Sequence, residues 1–370
     1  MRAASVPLVH ASGEPFDVGY THGAVRADAL RAFIDDDICR INRLVPAPVS
    51  VESLRPTLAA YGAAIAAATP RLSEEIDGLA QGAGISRELA VLLQVRREII
   101  GFQRVPVRGD CTTYASLSAG PGCGPVLAQT VDLNGDLDDQ IAVLDVRLSG
   151  SARRALILSF GGLLGYLGVN SDGLAIGLNL VLGGEWRPGL PPYLAIRHLL
   201  DNAGCVADAL RILPDLPLAS SRSLTLCDPA SVACVEILDN QPRLVETAQP
   251  VHTNHFLHPD FTDLDALNVF ARNSSLRRLK ACEAGLAAFA ESGTGADVEK
   301  HFALLAQPTI CVAGTGDIRR ERTVAAVVLL PDRGELNVRP GDPSRSRTLT
   351  FSFPDGTADA VPGISTVVVP

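Results

Sequence analysis

The sequence contains few lysines, and its basic residues are scattered. Two lysines stand beside thirty arginines, and 41 acidic residues against 32 basic ones leave a formal net charge of −9. The short basic stretches, RRER at 319–322 and the pair Arg277–Arg278, are isolated. Because contacts to nucleic-acid phosphates require a clustered basic surface, this composition argues against a nucleic-acid partner.

Long apolar runs are missing as well. No run approaches the roughly 20 apolar residues that span a bilayer, and the N-terminal stretch MRAASVPLVHASGEPF lacks the apolar centre of a signal peptide. No membrane partner is therefore expected, and the cytoplasm, where thiols stay reduced, is the expected compartment. With 47% hydrophobic and 20% charged residues, the sequence is typical of a folded globular chain.

Several common site motifs are also absent. The eight cysteines include no CxxC pair, which argues against structural zinc, and most are expected to be small buried residues. There is no GxGxxG, GxxxxGKS/T, GxSxG or HExxH motif. His252, His255 and His258 recur every three residues, but the flanking Pro250 and Pro259 argue against a helix. A structured loop is favoured over a metal site, and no metal or organic cofactor is expected.

The first hundred residues favour helices. Apolar residues recur at three- and four-residue steps from Leu30 to Ile41, which predicts one helix face. Thr69–Pro70 is typical of a helix start and opens a second apolar stripe, which glycines at 82 and 84 end. A third helix is predicted over 87–99.

Beyond residue 110 the pattern changes to short β-prone runs separated by Gly, Asp, Asn and Ser. The runs SLTLCD and VACVEIL, joined by the Asp228–Pro229 turn, predict a hairpin. Blocks of helices, strands, helices and strands predict an α+β fold with mainly antiparallel sheets in one compact domain. Further helices are expected at 193–213, 264–288 and 297–305, and the last strands at RTVAAVVLL, GELNV and RTLTFSF.

The stretch RGDCTTYAS places Cys111 at the join between the helical front and the β-rich remainder. If the peptide bond after Asp110 were cut, Cys111 would carry both a thiol and a free α-amine. A thiol has an ordinary pKa of about 8.5, whereas an α-amine titrates at about 7.7–8.0 and can accept the thiol proton. Nucleophile and base would then belong to one residue. The alternative is one more buried packing cysteine.

RGDCTTYAS and five further segments resemble the penicillin (isopenicillin N) acyltransferase family of N-terminal nucleophile hydrolases. The five segments are, in chain order, GEPFDVGYTHG, LAQTVDL, GVNSDGLAIGLNL, HTNHF and NSSLRRL. The resemblance implies a four-layer αββα sandwich, with two antiparallel sheets between helical layers. It also implies autocatalytic cleavage between Asp110 and Cys111 into a helical α chain, 1–110, and a β chain, 111–370, which together form one domain. Asp110 stands where relatives commonly have glycine.

The same resemblance implies roles for individual residues. Asn254 matches an asparagine of an oxyanion hole, and Asp132 an aspartate that holds the ammonium group or orients the substrate. Arg277 matches an arginine that assists by charge, with Ser274 beside it. The alternatives are turn residues for Asn254 and Asp132 and a solvated helix residue for Arg277. Thr113 is expected to support the substrate or to satisfy backbone groups at the strand start.

The activity implied is that of an amidohydrolase or acyltransferase that forms an acyl-cysteine intermediate on a small-molecule amide. Hydrolysis of a small N-acyl amine is the first expectation. Acyl transfer from an acyl-CoA thioester to a β-lactam nucleus is the second. Two alternatives remain: an uncleaved binding or structural relative, and a cysteine hydrolase that uses His252 or His255 as its base.

Overall fold

A computed structural model describes residues 6–101, 111–117, 124–292, 297–353 and 363–367. Two β-sheets lie face to face between outer layers of helices. Each sheet buries one face against the other sheet and one face against helices, which is how two amphipathic layers exclude water from both of their faces. The predicted α+β sandwich is therefore confirmed.

The larger sheet contains nine strands, of which seven, β4 to β10, are neighbours in chain order and form an antiparallel run. With strands numbered in chain order through both sheets, the order is β10-β9-β8-β7-β6-β5-β4-β1-β15, and β1 pairs with β4 in parallel. The predicted hairpin is β8–β9, with Cys227 opposite Val232. The bounds are Val6–Gly13 (β1), Ile141–Leu148 (β4), Arg154–Phe160 (β5), Leu167–Asn170 (β6), Ala175–Leu180 (β7), Arg222–Cys227 (β8), Val232–Leu238 (β9), Gln241–Val245 (β10) and Gly363–Val367 (β15).

The smaller sheet contains six antiparallel strands in the order β11-β2-β3-β12-β13-β14. Its central strands are buried on both faces, which explains why LAQTVDL and RTVAAVVLL are apolar without strict alternation. The bounds are Thr112–Ser116 (β2), Val126–Leu133 (β3), Val251–His252 (β11), Arg322–Leu330 (β12), Glu335–Pro340 (β13) and Leu349–Ser352 (β14).

Helices cover the outer face of each sheet. Helices α1 and α5 pack on the larger sheet, and α8 and α9 pack on the smaller one. No helix among the described residues is both long and apolar enough to cross a bilayer. The bounds are Pro15–Asp35 (α1), Val51–Ala68 (α2), Pro70–Ala83 (α3), Arg87–Ile100 (α4), Pro192–Asn202 (α5), Val206–Ile212 (α6), Pro259–Thr262 (α7), Val269–Ser292 (α8) and Val298–Leu305 (α9).

The sequence predicted α3 and α4 correctly, but the prediction for the first helix was wrong beyond Asp35. Residues 37–40 all have positive φ, between 48° and 62°, so the chain leaves the right-handed helix before Ile41. The Arg40 side chain stabilises this left-handed turn by donating to the carbonyl oxygens of Gly135 and Asp136 at 2.9 and 2.8 Å. These partners are nearly 100 residues away, and local periodicity does not report them.

Helices α1 and α3 cross with their backbones in contact, and four glycines make this possible. Gly19 and Gly23 of α1 face Gly78 and Gly82 of α3. A Cβ atom on Gly19 would lie 1.9 Å from the carbonyl oxygen of Glu75, a separation that no side chain can occupy. The glycines of the segment GEPFDVGYTHG are therefore required for packing.

Candidate active site

Cys111 is buried, 2% exposed, directly before the first residue of strand β2. Its carbonyl oxygen accepts hydrogen bonds from Asn179 Nδ2 at 3.0 Å and from Arg278 Nη1 at 2.7 Å. Asn179 belongs to β7 of the larger sheet and Arg278 to helix α8. The next residue is held as well, because the Thr112 amide donates to Thr130 Oγ1 at 3.1 Å. The backbone at Cys111 is thus fixed from three elements.

Arg278 connects Cys111 to Asn254. Its Nη2 donates to Asn254 Oδ1 at 2.5 Å, and its Nη1 also donates to Thr112 Oγ1 at 3.0 Å. Asn254 Nδ2 in turn donates to the carbonyl oxygen of Leu180 at 2.9 Å. These bonds determine which end of the Asn254 amide is the donor, because a guanidinium can pair only with its oxygen.

Asp132 lies in strand β3 and is fully buried. Its Oδ1 accepts from Thr323 Oγ1 at 2.6 Å, and its Oδ2 accepts a longer bond from Thr130 Oγ1 at 3.4 Å. Thr130 Oγ1 also accepts a hydrogen bond from the Thr112 amide. The Thr130 hydroxyl therefore links the Asp132 carboxylate to the backbone that follows Cys111. A buried carboxylate in this position is suited to stabilise a nearby cation.

Ser275 of α8 organises the segment HTNHF. Its hydroxyl accepts a hydrogen bond from the backbone amide of Asn254 at 2.8 Å. The same hydroxyl forms hydrogen bonds with Thr253 Oγ1 and His255 Nδ1, each at 2.7 Å. Burial, with the nearby charge of His252, lowers the pKa of His255 to about 4. His255 is therefore neutral at pH 7 and a weak base.

His252 is engaged on both ring nitrogens. Nε2 lies 2.8 Å from Glu236 Oε1, and Nδ1 lies 2.9 Å from the carbonyl oxygen of Thr253. Burial raises the pKa of Glu236, but its hydrogen bonds with His252 and with two backbone amides outweigh burial and leave that pKa below its ordinary value. His252 ends β11, His255 lies in the loop that follows, and His258 is the N-cap of α7. No metal-binding cluster occurs among the residues that the structure describes.

Two predicted residues lie one position away from the side chains that reach the site. Arg277 is exposed and Ser274 is half-buried, whereas Arg278 and Ser275 are buried against Cys111 and HTNHF. In NSSLRRL both serine–arginine pairs have the same i, i+3 spacing, so the sequence is consistent with either. Packing of α8 on the sheet selects Ser275 and Arg278, which corrects the prediction.

The remaining predicted site residues are Asp132, Asn254, Thr113 and Asp110. Asp132 and Asn254 lie with Cys111 as expected, whereas Thr113 faces the larger sheet, where its methyl group lies close to Gly177. Asn179 was missed, although an asparagine inside the apolar run GLAIGLNL was a usable signal. Asp110 lies outside the described residues.

Most of the other described cysteines are buried, as predicted, and Cys123 lies outside the described residues. The seven described cysteines are thiols, and Cys205 is the one that is half-buried. Burial raises the pKa of Cys39 and of Cys234 to about 12, and that of Cys311 to about 11. These three thiols are therefore protonated at neutral pH and are poor nucleophiles.

The fold is that of the N-terminal nucleophile hydrolases. A variant of conjugated bile acid hydrolase from Clostridium perfringens superposes with a TM-score of 0.52 at 12% identity, covering 70% of this chain and 97% of that chain. At this identity the likeness shows the fold alone.

Sequence comparison then identifies the family. The model described as acyl-coenzyme A:6-aminopenicillanic acid acyl-transferase matches residues 118–345, and the chain belongs to this family of amidohydrolases and acyltransferases. The 40 kDa form of acyl-coenzyme A:6-aminopenicillanic-acid-acyltransferase from Emericella nidulans is 26% identical over 261 residues, 67% of this chain and 69% of that protein. The resemblance seen in the sequence is thereby confirmed. The matched region begins after Cys111 and does not include it.

Proposed function

We propose that the chain is a precursor that cleaves itself before Cys111 and then hydrolyses a small N-acyl amine. In the cleavage step the Cys111 thiol adds to the carbonyl carbon of Asp110 and the C–N bond breaks, so the nitrogen becomes the α-amine of Cys111. Water then hydrolyses the thioester to the Asp110 carboxylate and the free thiol. The products are fragments 1–110 and 111–370, which stay together as the enzyme.

Turnover reuses the same thiol. The α-amine of Cys111 takes the thiol proton, the sulfur adds to the substrate amide, and the proton passes to the leaving amine. Water then releases the acyl group from the cysteine. We assign the oxyanion contact to Asn254, whose amide is oriented by Arg278, and contact with the new ammonium group to Asp132.

The observation that carries this proposal is the double hydrogen bond to the Cys111 carbonyl oxygen. Asn179 and Arg278 approach it from different layers of the sandwich. Any buried carbonyl needs a hydrogen-bond partner. Two side-chain donors from different layers, one of them charged, fix this backbone more firmly than packing alone requires, which suits a nucleophile that must be held within a fraction of an ångström of its reacting geometry. The histidine-based alternative is weakened, because His252 is fully engaged and His255 is a poor base.

Acyl transfer is the second candidate. The matching family model and the Emericella nidulans relative are both described as acyl-coenzyme A:6-aminopenicillanic acid acyltransferases. An acyl-cysteine reacts equally well with an amine, so an acyl-CoA thioester as donor and a β-lactam amine as acceptor would need no new catalytic group.

Intact-mass analysis with a substrate panel tests both candidates. The active protein should consist of two fragments cut before Cys111, and Cys111→Ala should be one uncut chain without activity. Cys205→Ala, which removes a half-buried thiol elsewhere, is the matched control and should be cleaved and active. An active uncut chain would contradict the proposal, and an inactive uncut wild type would favour a binding protein. N-acyl amines and penicillins, each with and without acyl-CoA, distinguish hydrolysis from transfer.

A further inference from the structure

Arg96 of helix α4 is a buried arginine without a carboxylate partner among the described residues. Its Nε donates to the carbonyl oxygen of Cys39 at 2.7 Å, and its guanidinium lies 5.9 Å from the ring centroid of Phe33. Its Nη2 is buried and has no hydrogen-bond partner in the described part of the chain. A buried cation with an unused donor is costly, and an anionic ligand would remove that cost.

The charges around Arg96 increase the need for an anion. Burial lowers the pKa of Arg96 to about 10, so the group still carries its charge at neutral pH. The neighbouring Arg97 and Arg40 are also cationic, and their repulsion contributes to the lowered pKa of Arg96. By contrast, the buried Arg222 has the carboxylate of Glu98 at 3.4 Å.

A cavity of about 40 Å³ lies beside Arg96. By the space that one water needs, this volume holds roughly three water-sized groups, which is the size of a carboxylate. Arg97 and Asn134 also line it, and the Asn134 carboxamide can donate a further hydrogen bond. The rest of the wall is mostly apolar and aromatic, and includes Phe33, Leu93, Leu133, Phe160, Tyr166 and Tyr193.

The cavity is close to the nucleophile along strand β3. Thr112 pairs with Thr130, so the register places Cys111 level with Val131. Leu133, in the cavity wall, is two residues further on, or about 7 Å along the strand. Val131 belongs to the core between the sheets and Leu133 packs against that core, so both lie on the same face of β3.

We propose that Arg96 and Asn134 form a subsite that binds a carboxylate carried by the substrate. The subsite rests on the proposed function, because it assumes that the reacting amide lies at Cys111. The short distance along β3 favours substrates in which a few carbon atoms separate that amide from the carboxylate. The carboxylate can belong to the acyl group or to the amine of the substrate. The two substrate pairs described below distinguish these two positions.

Two pairs of matched substrates test the subsite. Hexanoyl and adipyl anilides differ by a carboxylate on the acyl side, and N-hexanoyl-propylamine and N-hexanoyl-β-alanine differ by one on the amine side. In one pair, wild-type kcat/KM should favour the carboxylate substrate about tenfold or more, as expected for a charged hydrogen bond. Arg96→Met should reduce that ratio to near one. Arg87→Met, at the exposed start of the same helix, should preserve it.

Calorimetric titration with adipate, and with uncharged hexanamide as the control, separates the subsite from the chemistry. Adipate should bind the wild type and Arg87→Met, and bind Arg96→Met at least about tenfold more weakly. Arg96-dependent binding without turnover of any amide would contradict the proposed function and support the subsite. Turnover without a carboxylate preference in either pair would overturn the subsite alone.

A second variant covers the case in which Arg96→Met does not fold. Asn134 lies in the loop after β3, and Asn134→Ala should lower the same ratio by a smaller factor. An unchanged ratio together with an unchanged adipate affinity in Asn134→Ala would overturn the proposal.

Discussion

Arg197 and Arg278 are both fully buried, on helices at opposite faces of the sandwich, but their surroundings differ. Arg197 donates to both carboxylate oxygens of Glu75 at 2.8 and 2.9 Å and to Asp201 at 3.0 Å. Although burial lowers the pKa of Arg197, Asp201 and Glu75 raise it above its ordinary value. Its charge is thus compensated by two carboxylates from α3 and α5.

Arg278 instead directs its donors to neutral oxygens. They are the carbonyl of Cys111, the hydroxyl of Thr112 and the amide of Asn254. These contacts place a cationic side chain beside Cys111, where the acyl transfer that we propose would develop negative charge. The comparison teaches that carboxylates around a buried arginine indicate a role in the fold, whereas hydrogen bonds to Cys111 and its neighbours fit the role that we propose for Arg278.

The largest effect is expected at Arg278. Arg278→Gln should lower kcat/KM by about 100-fold or more, because it removes a preorganised donor from the site. Arg277→Gln is the matched control, one residue away on the same helix but exposed, and should change activity little. Steady-state kinetics on both variants make the test, and equal losses would show that Arg278 has no special role.

Glu75→Gln should act on stability instead. It leaves the buried Arg197 with one carboxylate fewer, which typically costs about 3–5 kcal/mol. Urea unfolding measures the loss, and the folded fraction should keep its kcat/KM. Glu52→Gln, an exposed residue of α2, should be nearly neutral. If Glu75→Gln instead abolished activity without loss of stability, the contrast between the two arginines would be wrong.

The helix crossing beside Glu75 gives a smaller effect. Gly19→Ala forces α1 away from the Glu75 carbonyl oxygen and should cost about 1–3 kcal/mol or more. Gly62→Ala in α2 is the control, since its new Cβ would meet the flexible end of Arg87 at 3.0 Å. Thermal melts should separate the two variants, and a neutral Gly19→Ala would mean that the helices separate easily.

The pH dependence of stability gives the smallest effect. Burial, with the charges of Arg26 and Arg197, lowers the pKa of His22 to about 3, against about 6.5 in the unfolded chain. The unfolded state therefore binds the proton first, and stability that is full above pH 6.5 falls as the pH approaches 3. At pH 5 the loss is about 2 kcal/mol.

His22→Gln measures this loss directly. The variant should have a flatter dependence of the urea midpoint on pH between 6.5 and 4. An unchanged slope would place the acid sensitivity in other groups, such as His255, whose pKa is lowered in the same direction.

The starts of α3 and α4, the β8–β9 hairpin and the position of Cys111 could all be predicted from neighbouring residues. Helix periodicity, proline at a helix start and a turn between two β-prone runs are local properties. The exit from α1 at residues 37–40 could not, because its stabilising contacts are with Gly135 and Asp136, which lie after β3 and nearly 100 residues further along the chain.

In the site, RGDCTTYAS and the later segments are local patterns, so the sequence alone predicted the family and the nucleophile that we propose, Cys111. The tertiary structure decided that Arg278 reaches Cys111 and that Ser275 reaches HTNHF, and it added Asn179 from the opposite sheet. It also placed Arg96 beside a cavity, without a carboxylate partner in the described part of the chain. The physical reason is that spacing along a helix or strand defines faces, whereas only packing decides what each face touches.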